Sequence, residues 1–239
     1  MKQRDFTYFV GDFETTVYDN QEYTEVWASA VVPLYSESVI IHHSLLDTFN
    51  YLKALPGNIC IYYHNLKFDG SFWLPFLIEN LGFKQAYLKI KTEQGELIEW
   101  KSEKKMFNKE FKYSISDRGA WYNIIIKVNN KIIEIRDSLK LLPFSVAEIG
   151  KSFGTKHKKL DMEYKGFRFS GCEITPKEKK YIANDVLVVK EALEIMFDQG
   201  HDSLTIGSCC LKEFKRTYDK EYYNILFPNM YDILLDKKT

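Results

Sequence analysis

Ile59-Cys60-Ile61-Tyr62-Tyr63 is apolar on both faces, and this restricts the fold more than any other stretch of the chain. A strand with one wet face alternates polar and apolar residues, whereas a run like this one reads as a strand buried within a sheet. Earlier runs supply its neighbours. Phe6-Thr7-Tyr8-Phe9-Val10 is β-rich, Val26 to Leu34 is a second apolar run, and Val39-Ile40-Ile41 marks a third, predicting a three-stranded antiparallel start. Leu45 to Leu55 has helical spacing and stops at Pro56-Gly57, and Ser71 to Leu81 reads as a helix ended by Gly82. Trp121 to Val128 and Lys131 to Asp137 predict a hairpin, because Asn129-Asn130 suits a two-residue turn with positive φ. Ser145 to Phe153 predicts a short helix. A longer one opens at Thr175-Pro176-Lys177-Glu178, with Thr as N-cap, Pro at the first position and Glu at the capping-box position. Its apolar face runs through Ile182, Val186, Val189, Leu193 and Met196 to a stop at Gly200, and a last helix covers Leu204 to Tyr218. Strands followed by interleaved helices give an α/β class, a mixed sheet with helices packed on it.

A chain of 239 residues suits one large domain, or a domain with a short appendage. No apolar run approaches the roughly 18 residues that span a bilayer, and Met1 to Phe6 leads into strand-like sequence without a signal-peptide core. No membrane partner is therefore expected. The cysteines, Cys60, Cys172, Cys209 and Cys210, form no C-x-x-C pair, so neither a zinc site nor a disulfide framework is indicated. A reduced, cytoplasmic setting follows. Net charge is zero, which argues against a broadly basic coat for nucleic acid but permits a local basic path offset by acidic ligands. Lys151, Lys156, Lys158, Lys159, Lys165 and Arg168 form such a run, as does the lysine-rich stretch 101–112, and the plainer reading of either is a solvated surface loop.

Three acidic elements carry the chemistry. Asp12 and Glu14 lie two apart on a predicted strand, so both leave one face while Phe13 points into the core. Two carboxylates side by side repel each other unless a cation sits between them, and hard oxygen ligands favour Mg²⁺ or Mn²⁺. The plainer reading is an acidic strand edge. Next, Tyr62-Tyr63-His64-Asn65-Leu66-Lys67-Phe68-Asp69-Gly70 ends a buried strand in a polar turn, with Asp69-Gly70 preceding a helix. Asp69 could be a simple N-cap, but the adjoining amide and aromatic suit a nucleotide sugar and a stacked base. Third, Tyr181 and Asp185 stand at i and i+4 on one helix face. Together Asp12, Glu14, Asp69 and Asp185 would suit two divalent ions about 4 Å apart, one activating a water and the other stabilising a leaving 3′ oxygen. Tyr181 would orient the water, and Lys159 would offset charge developing at the phosphate.

In this order the three elements resemble the exonuclease motifs of family B DNA polymerases, and within them the protein-primed branch of phages and linear plasmids. Asp12-Phe13-Glu14-Thr15-Thr16 matches the first motif, His64 to Gly70 the second in most detail, and Tyr181 to Asp185 the third. Asp137-Ser138-Leu139 with Leu142-Pro143-Phe144, Ile174-Thr175-Pro176, and Gln199-Gly200 before Leu211-Lys212 also agree, so the likeness runs from the first strand to about Pro228. The resemblance implies a ribonuclease H-like fold of the DnaQ-type 3′–5′ exonucleases, a mixed sheet flanked by helices. It implies that Asp12, Glu14, Asp69 and Asp185 bind metal, that Tyr181 orients water and that Lys159, upstream of Tyr164, is the catalytic lysine. Thr15, Asn65, Phe68, Ser138, Leu139 and Tyr164 would hold a single-stranded DNA 3′ end, with Tyr62 and His64 supporting the site or touching the strand. A terminal protein or a separate polymerase subunit is the implied partner, and host-cell cytoplasm the implied setting.

The sequence departs from full-length members of that branch by lacking Tyr-x-Gly-Gly, Asp-x-x-Ser-Leu-Tyr-Pro and Tyr-x-Asp-Thr-Asp-Ser. Residues 1–200 are thus expected to form an exonuclease domain and 201–239 a helical extension at the start of a polymerase region. Polymerase activity is not expected in these residues alone. Two other readings stand beside the nuclease: an N-terminal piece of a full polymerase, and a non-catalytic module that docks on a polymerase or terminal protein.

Overall fold

The structure, a computed structural model, describes residues 5–16, 22–92, 95–162 and 168–228. Asn58–Tyr63 forms β4, the central strand, with β1 (Phe6–Thr15) and β10 (Lys131–Asp137) parallel to it on either side. Both faces of β4 are buried, as its apolar pattern requires. Beyond β1 lie β2 (Val26–Pro33) and β3 (Ile40–His42), both antiparallel, so the expected three-stranded start is present. Beyond β10 lie β9 (Trp121–Val128), β8 (Glu110–Ile115) and the two-residue β5 (Lys84–Gln85). The full order is β3-β2-β1-β4-β10-β9-β8-β5, an eight-stranded mixed sheet with ribonuclease H-like topology. A separate antiparallel pair, β6 (Tyr87–Thr92) and β7 (Gly95–Trp100), forms a second, two-stranded sheet. The β9–β10 hairpin turns on Asn129 and Asn130 at φ of 48° and 62°, the left-handed pair that such a turn needs.

Alternation along β1 divides its side chains between two layers. Phe9 and Phe13 face α1 (Leu45–Ala54) and α2 (Leu66–Pro75), joining Phe49, Leu52, Leu66 and Trp73 in one buried cluster. Phe13 packs its ring 4.9 Å from that of Tyr63 and 5.8 Å from that of Trp73. Val10 and Asp12 face the other way, toward Val146 of α3 (Val146–Ser152) and Val186 and Val189 of α4 (Pro176–Asp198). α4 opens as expected: Thr175 Oγ1 accepts from the Glu178 N–H while the Glu178 carboxylate accepts from the Thr175 N–H.

One boundary differs from the sequence-based expectation. α2 begins at Leu66 rather than Ser71 and gives way after Pro75 to a π-helical turn, Phe76–Asn80. Asn65 enters it at φ 70°, a conformation Asn tolerates better than most residues, and makes no side-chain cap. Asp69 and Gly70 consequently lie inside the helix, and Asp69 is not an N-cap. The chain divides into two compact units, residues 1–195 and 196–239. In the second, α5 (Ile206–Arg216) falls within the expected last helix, whereas α6 (Lys220–Leu226) was not anticipated; Phe214, Tyr218, Tyr223 and Phe227 cluster between them. No helix among the described residues is long and apolar enough to cross a membrane.

Gly70 is where the helix–sheet contact tolerates no side chain. A Cβ there would stand 2.5 Å and 2.8 Å from ring carbons of Trp121 on β9. Gly70→Ala should therefore destabilise by about 1–3 kcal/mol through overpacking, read as a drop of roughly 2–4 °C in Tm per kcal/mol for a chain of this size. An unchanged melting curve would show that the Trp121 ring yields freely.

Candidate active site

The carboxyl ends of β1 and β4, the first turn of α2 and the middle of α4 meet at one edge of the sheet, where open α/β sheets commonly place their sites. β1 brings Asp12 and Glu14 to this edge with Phe13 locked beneath them, and its pairing with β2 shifts register between Glu14 and Thr15. α2 brings Asp69, 1 % exposed, in its first turn. α4 brings Asp185 and, one turn earlier, Tyr181. The loop before α4 brings Lys159, whose Nζ donates to Asp185 Oδ2 at 2.6 Å and sits 5.6 Å from the centre of the Tyr181 ring.

Each of these groups feels the others. Burial pushes the Asp12 carboxyl well above the ordinary aspartate range, and the charges of Glu14 and Asp185 push it further. Burial and then the Asp12 charge do the same to Asp69, against the pull of the Phe13 N–H. Asp185 is raised by burial despite its hydrogen bond from Lys159. For Lys159, burial alone would lower the ammonium's pKa, but the bond and charge of Asp185 outweigh it and hold it above the ordinary lysine value. Tyr181 is raised by burial and by Asp185, which keeps it a neutral phenol at physiological pH. All six sequence-predicted catalytic residues thus come together.

The donor set suits a hard cation. Asp69 Oδ1 and Asp185 Oδ1 are both buried and have no hydrogen-bond partner, and an unsatisfied carboxylate oxygen away from water is costly. Among the described residues, no three His, Cys, Asp or Glu side chains already converge as a closed ligand set. Beside these groups a cavity of about 120 Å³ is walled by Asp12, His64, Lys159 and Asp185, with Val186 and Val189 at its side.

The residues expected to hold a DNA strand fall into two groups. Phe68 is 47 % exposed, edge-on to Phe72 at 5.4 Å, and Asn65 is exposed; Thr15 and Leu139 are half-buried at the same edge. Tyr62 and Ser138, by contrast, are wholly buried. The Tyr62 hydroxyl accepts from Arg136 Nη1 at 3.1 Å, and Ser138 Oγ lies 3.0 Å from His64 Nδ1 and 3.2 Å from the Tyr63 carbonyl. As placed, neither side chain offers surface to a strand: Tyr62 takes the supporting role of the two expected for it, and Ser138, expected to hold the strand, is a support of the frame as well. His64 is tied on both ring nitrogens, with Nε2 2.8 Å from the Phe144 carbonyl, and burial lowers its pKa against that carbonyl's pull. It too serves as a brace. Tyr164 lies outside the described residues.

Asp137 was missed as a site residue. Its Oδ1 accepts from the N–H groups of Asn65 at 3.1 Å, Leu66 at 3.2 Å and Leu139 at 3.0 Å, and Lys140 Nζ stands 3.4 Å from Oδ2. One carboxylate thereby fixes the turn into α2 and the turn after β10. An Asp directly before Ser-Leu at a strand end was the available signal, since Asp caps its own following turn; the cross-chain bonds have no local signature.

The sequence profile described as "DNA polymerase type B, organellar and viral" matches residues 52–171, half of the chain. The DNA polymerase of Bacillus phage B103 is 35% identical over 236 residues, covering 96% of this chain and 37% of its own length. That of Bacillus phage phi29 is 36% identical over 233 residues, and that of Streptococcus phage Cp-1 29% identical over 254 residues. Phi29 DNA polymerase complexed with single-stranded DNA matches the fold with a TM-score of 0.77 at 32% identity, over 92% of this chain and 36% of that one. The chain spans little more than a third of the length of these relatives. It belongs to the viral and organellar type B DNA polymerase family.

Proposed function

We propose that this chain is the editing part of a protein-primed family B DNA polymerase, a 3′–5′ exonuclease that removes mononucleotides from single-stranded DNA ends. The observation that carries this reading is the meeting of Asp12, Glu14, Asp69 and Asp185, two of them with an orphaned buried oxygen, beside Tyr181 and Lys159. Those four carboxylates would hold two Mg²⁺ or Mn²⁺ ions, which would supply Lewis-acid activation of a water and neutralise the leaving oxygen. Tyr181, kept protonated, can accept from and donate to that water, so its role is to aim the water at phosphorus. Lys159 stays cationic and offsets charge that grows on the phosphate as the P–O3′ bond breaks. Phe68 would stack a base and Asn65 hydrogen-bond the strand, while Thr15 and Leu139 line its path. Residues 1–200 would carry this chemistry and 201–239 would lead toward a polymerase body. A terminal protein or polymerase partner in host cytoplasm rests on the family resemblance.

In the presence of Mg²⁺, the purified chain should release mononucleotides from 3′-ended single-stranded DNA. Asp12→Ala with Glu14→Ala should abolish release without unfolding the domain. Tyr181→Phe should slow turnover by about 10²-fold or more with little change in DNA affinity. A double variant that degrades DNA at the parent rate would refute the site.

Metal-free stability gives a second check. Burial raises the folded-state pKa of Asp69 above its unfolded value, so its stabilising contribution is present in acid and lost as pH rises through the folded pKa. In EDTA at neutral pH, Asp69→Asn should therefore melt higher than the parent, by about 2–4 °C for on the order of 1 kcal/mol. The gain should shrink below about pH 4, and Mg²⁺ should raise the parent's Tm more than the variant's. A lower Tm for Asp69→Asn in neutral EDTA would make the carboxylate an indispensable structural acceptor instead.

A further inference from the structure

Lys159 sits on a loop, and a long side chain on a loop does not find one geometry by itself. Ordering a lysine side chain costs up to about 2 kcal/mol in rotamer entropy, before the backbone beneath it is fixed. The residues just ahead of it are fastened at several points. Thr155 Oγ1 donates to the His157 carbonyl at 2.6 Å. Lys158 Nζ donates to the Gly150 carbonyl, near the end of α3, at 2.5 Å. Two residues of α4 take hold from the other side. Glu191 Oε2 accepts the His157 N–H at 3.2 Å, and its Oε1 meets His157 Nδ1 at 2.5 Å. Asn184 Nδ2 donates to the Lys158 carbonyl.

Asn184 and Glu191 are seven residues apart, two helical turns, and so lie along one stripe of α4. They grip consecutive residues of the loop, 158 and 157. Lys159 follows at once and reaches Asp185, next to Asn184 on the same helix. The stretch that composition offered as a solvated basic loop is at this point pinned to α4, whereas Lys156, paired with Glu37 at 3.8 Å with both side chains largely exposed, matches that description.

We infer that Glu191 and Asn184 are positioning residues for Lys159, a two-point clamp on the backbone of residues 157–158 that delivers the ammonium to Asp185 and Tyr181. Neither touches the reacting atoms. Their effect on catalysis passes through Lys159, and it rests on the exonuclease reading above. The clamp itself does not. Glu191 does more than support the fold, because its two oxygens bind the backbone and ring of one residue, so truncation frees the loop at a single place. Helix α4 keeps its own hydrogen bonds either way.

Two measurements separate positioning from plain structural support. In the nuclease assay, Glu191→Ala should lower kcat by about tenfold to a hundredfold, as misplacement of a catalytic group does. KM for single-stranded DNA should stay within about twofold. In a Lys159→Met background, Glu191→Ala should cost nothing more, and Glu191→Gln, which keeps an acceptor for the His157 N–H, should recover most of the rate. The second readout needs no turnover: acylation of Lys159 by an amine-reactive ester, followed by peptide mass spectrometry. In the parent the ammonium is held by Asp185 and should label slowly. Glu191→Ala and Asn184→Ala should each speed labelling of Lys159 several-fold while Lys156 labels as before. Unchanged labelling of Lys159, or a rate loss from Glu191→Ala that adds fully to that of Lys159→Met, would overturn the clamp. If the parent hydrolyses no DNA yet Lys159 labelling still answers to Glu191→Ala, the exonuclease reading falls and the clamp stands.

Discussion

Mutual repulsion of four carboxylates in a place poor in water is the constraint around which this fold is arranged. Asp12, Glu14, Asp69 and Asp185 come from three elements far apart in sequence; burial raises Asp12, Asp69 and Asp185 above the ordinary range, and neighbouring carboxylate charge adds to it at Asp12 and Asp69. Nothing in hydrophobic packing favours that meeting. It persists because the elements that bring them are held by unrelated forces: Phe13 wedged against Tyr63 and Trp73, Gly70 pressed on Trp121, and α4 locked at its start by the Thr175–Glu178 capping box. Strain at the site is sustained by rigidity around it, a common division of labour in functional proteins.

Two polar clamps complete that rigidity. Asp137 gathers the N–H groups of Asn65, Leu66 and Leu139, so that the turn carrying Phe68 and Asp69 cannot drift from the turn carrying Ser138 and Leu139. Asn184 and Glu191 perform the equivalent service for the loop that carries Lys159. Each joins a loop or turn to a neighbouring element through backbone groups. His64, Tyr62 and Ser138 add a third layer, braced on Phe144, Arg136 and the Tyr63 carbonyl.

Much of this was legible in the sequence wherever the signal was local. Alternation at Asp12-Phe13-Glu14, the Asn129-Asn130 turn and the Thr175 cap depend only on nearby residues, and the structure has all three. The start of α2 was misplaced for the opposite reason. Asn65 makes no cap of its own, and the acceptor that serves the helix's first N–H groups is an Asp 71 residues from Leu66. Burial of Tyr62 was legible in the doubly apolar run 59–63, whereas that of Ser138 was hidden, because motif position places it at the site without telling which way it faces. His157 and Glu191 lie 34 residues apart and match no motif, so only the folded chain pairs them.

Anomalous diffraction at the manganese edge tests the central claim most directly, on crystals of the chain grown with Mn²⁺ and a short single-stranded DNA with a non-hydrolysable terminal linkage. The account predicts two peaks about 4 Å apart, bounded by Asp12, Glu14, Asp69 and Asp185, with the terminal phosphate between them. Manganese absent from this edge of the sheet, or a strand end bound elsewhere, would contradict it.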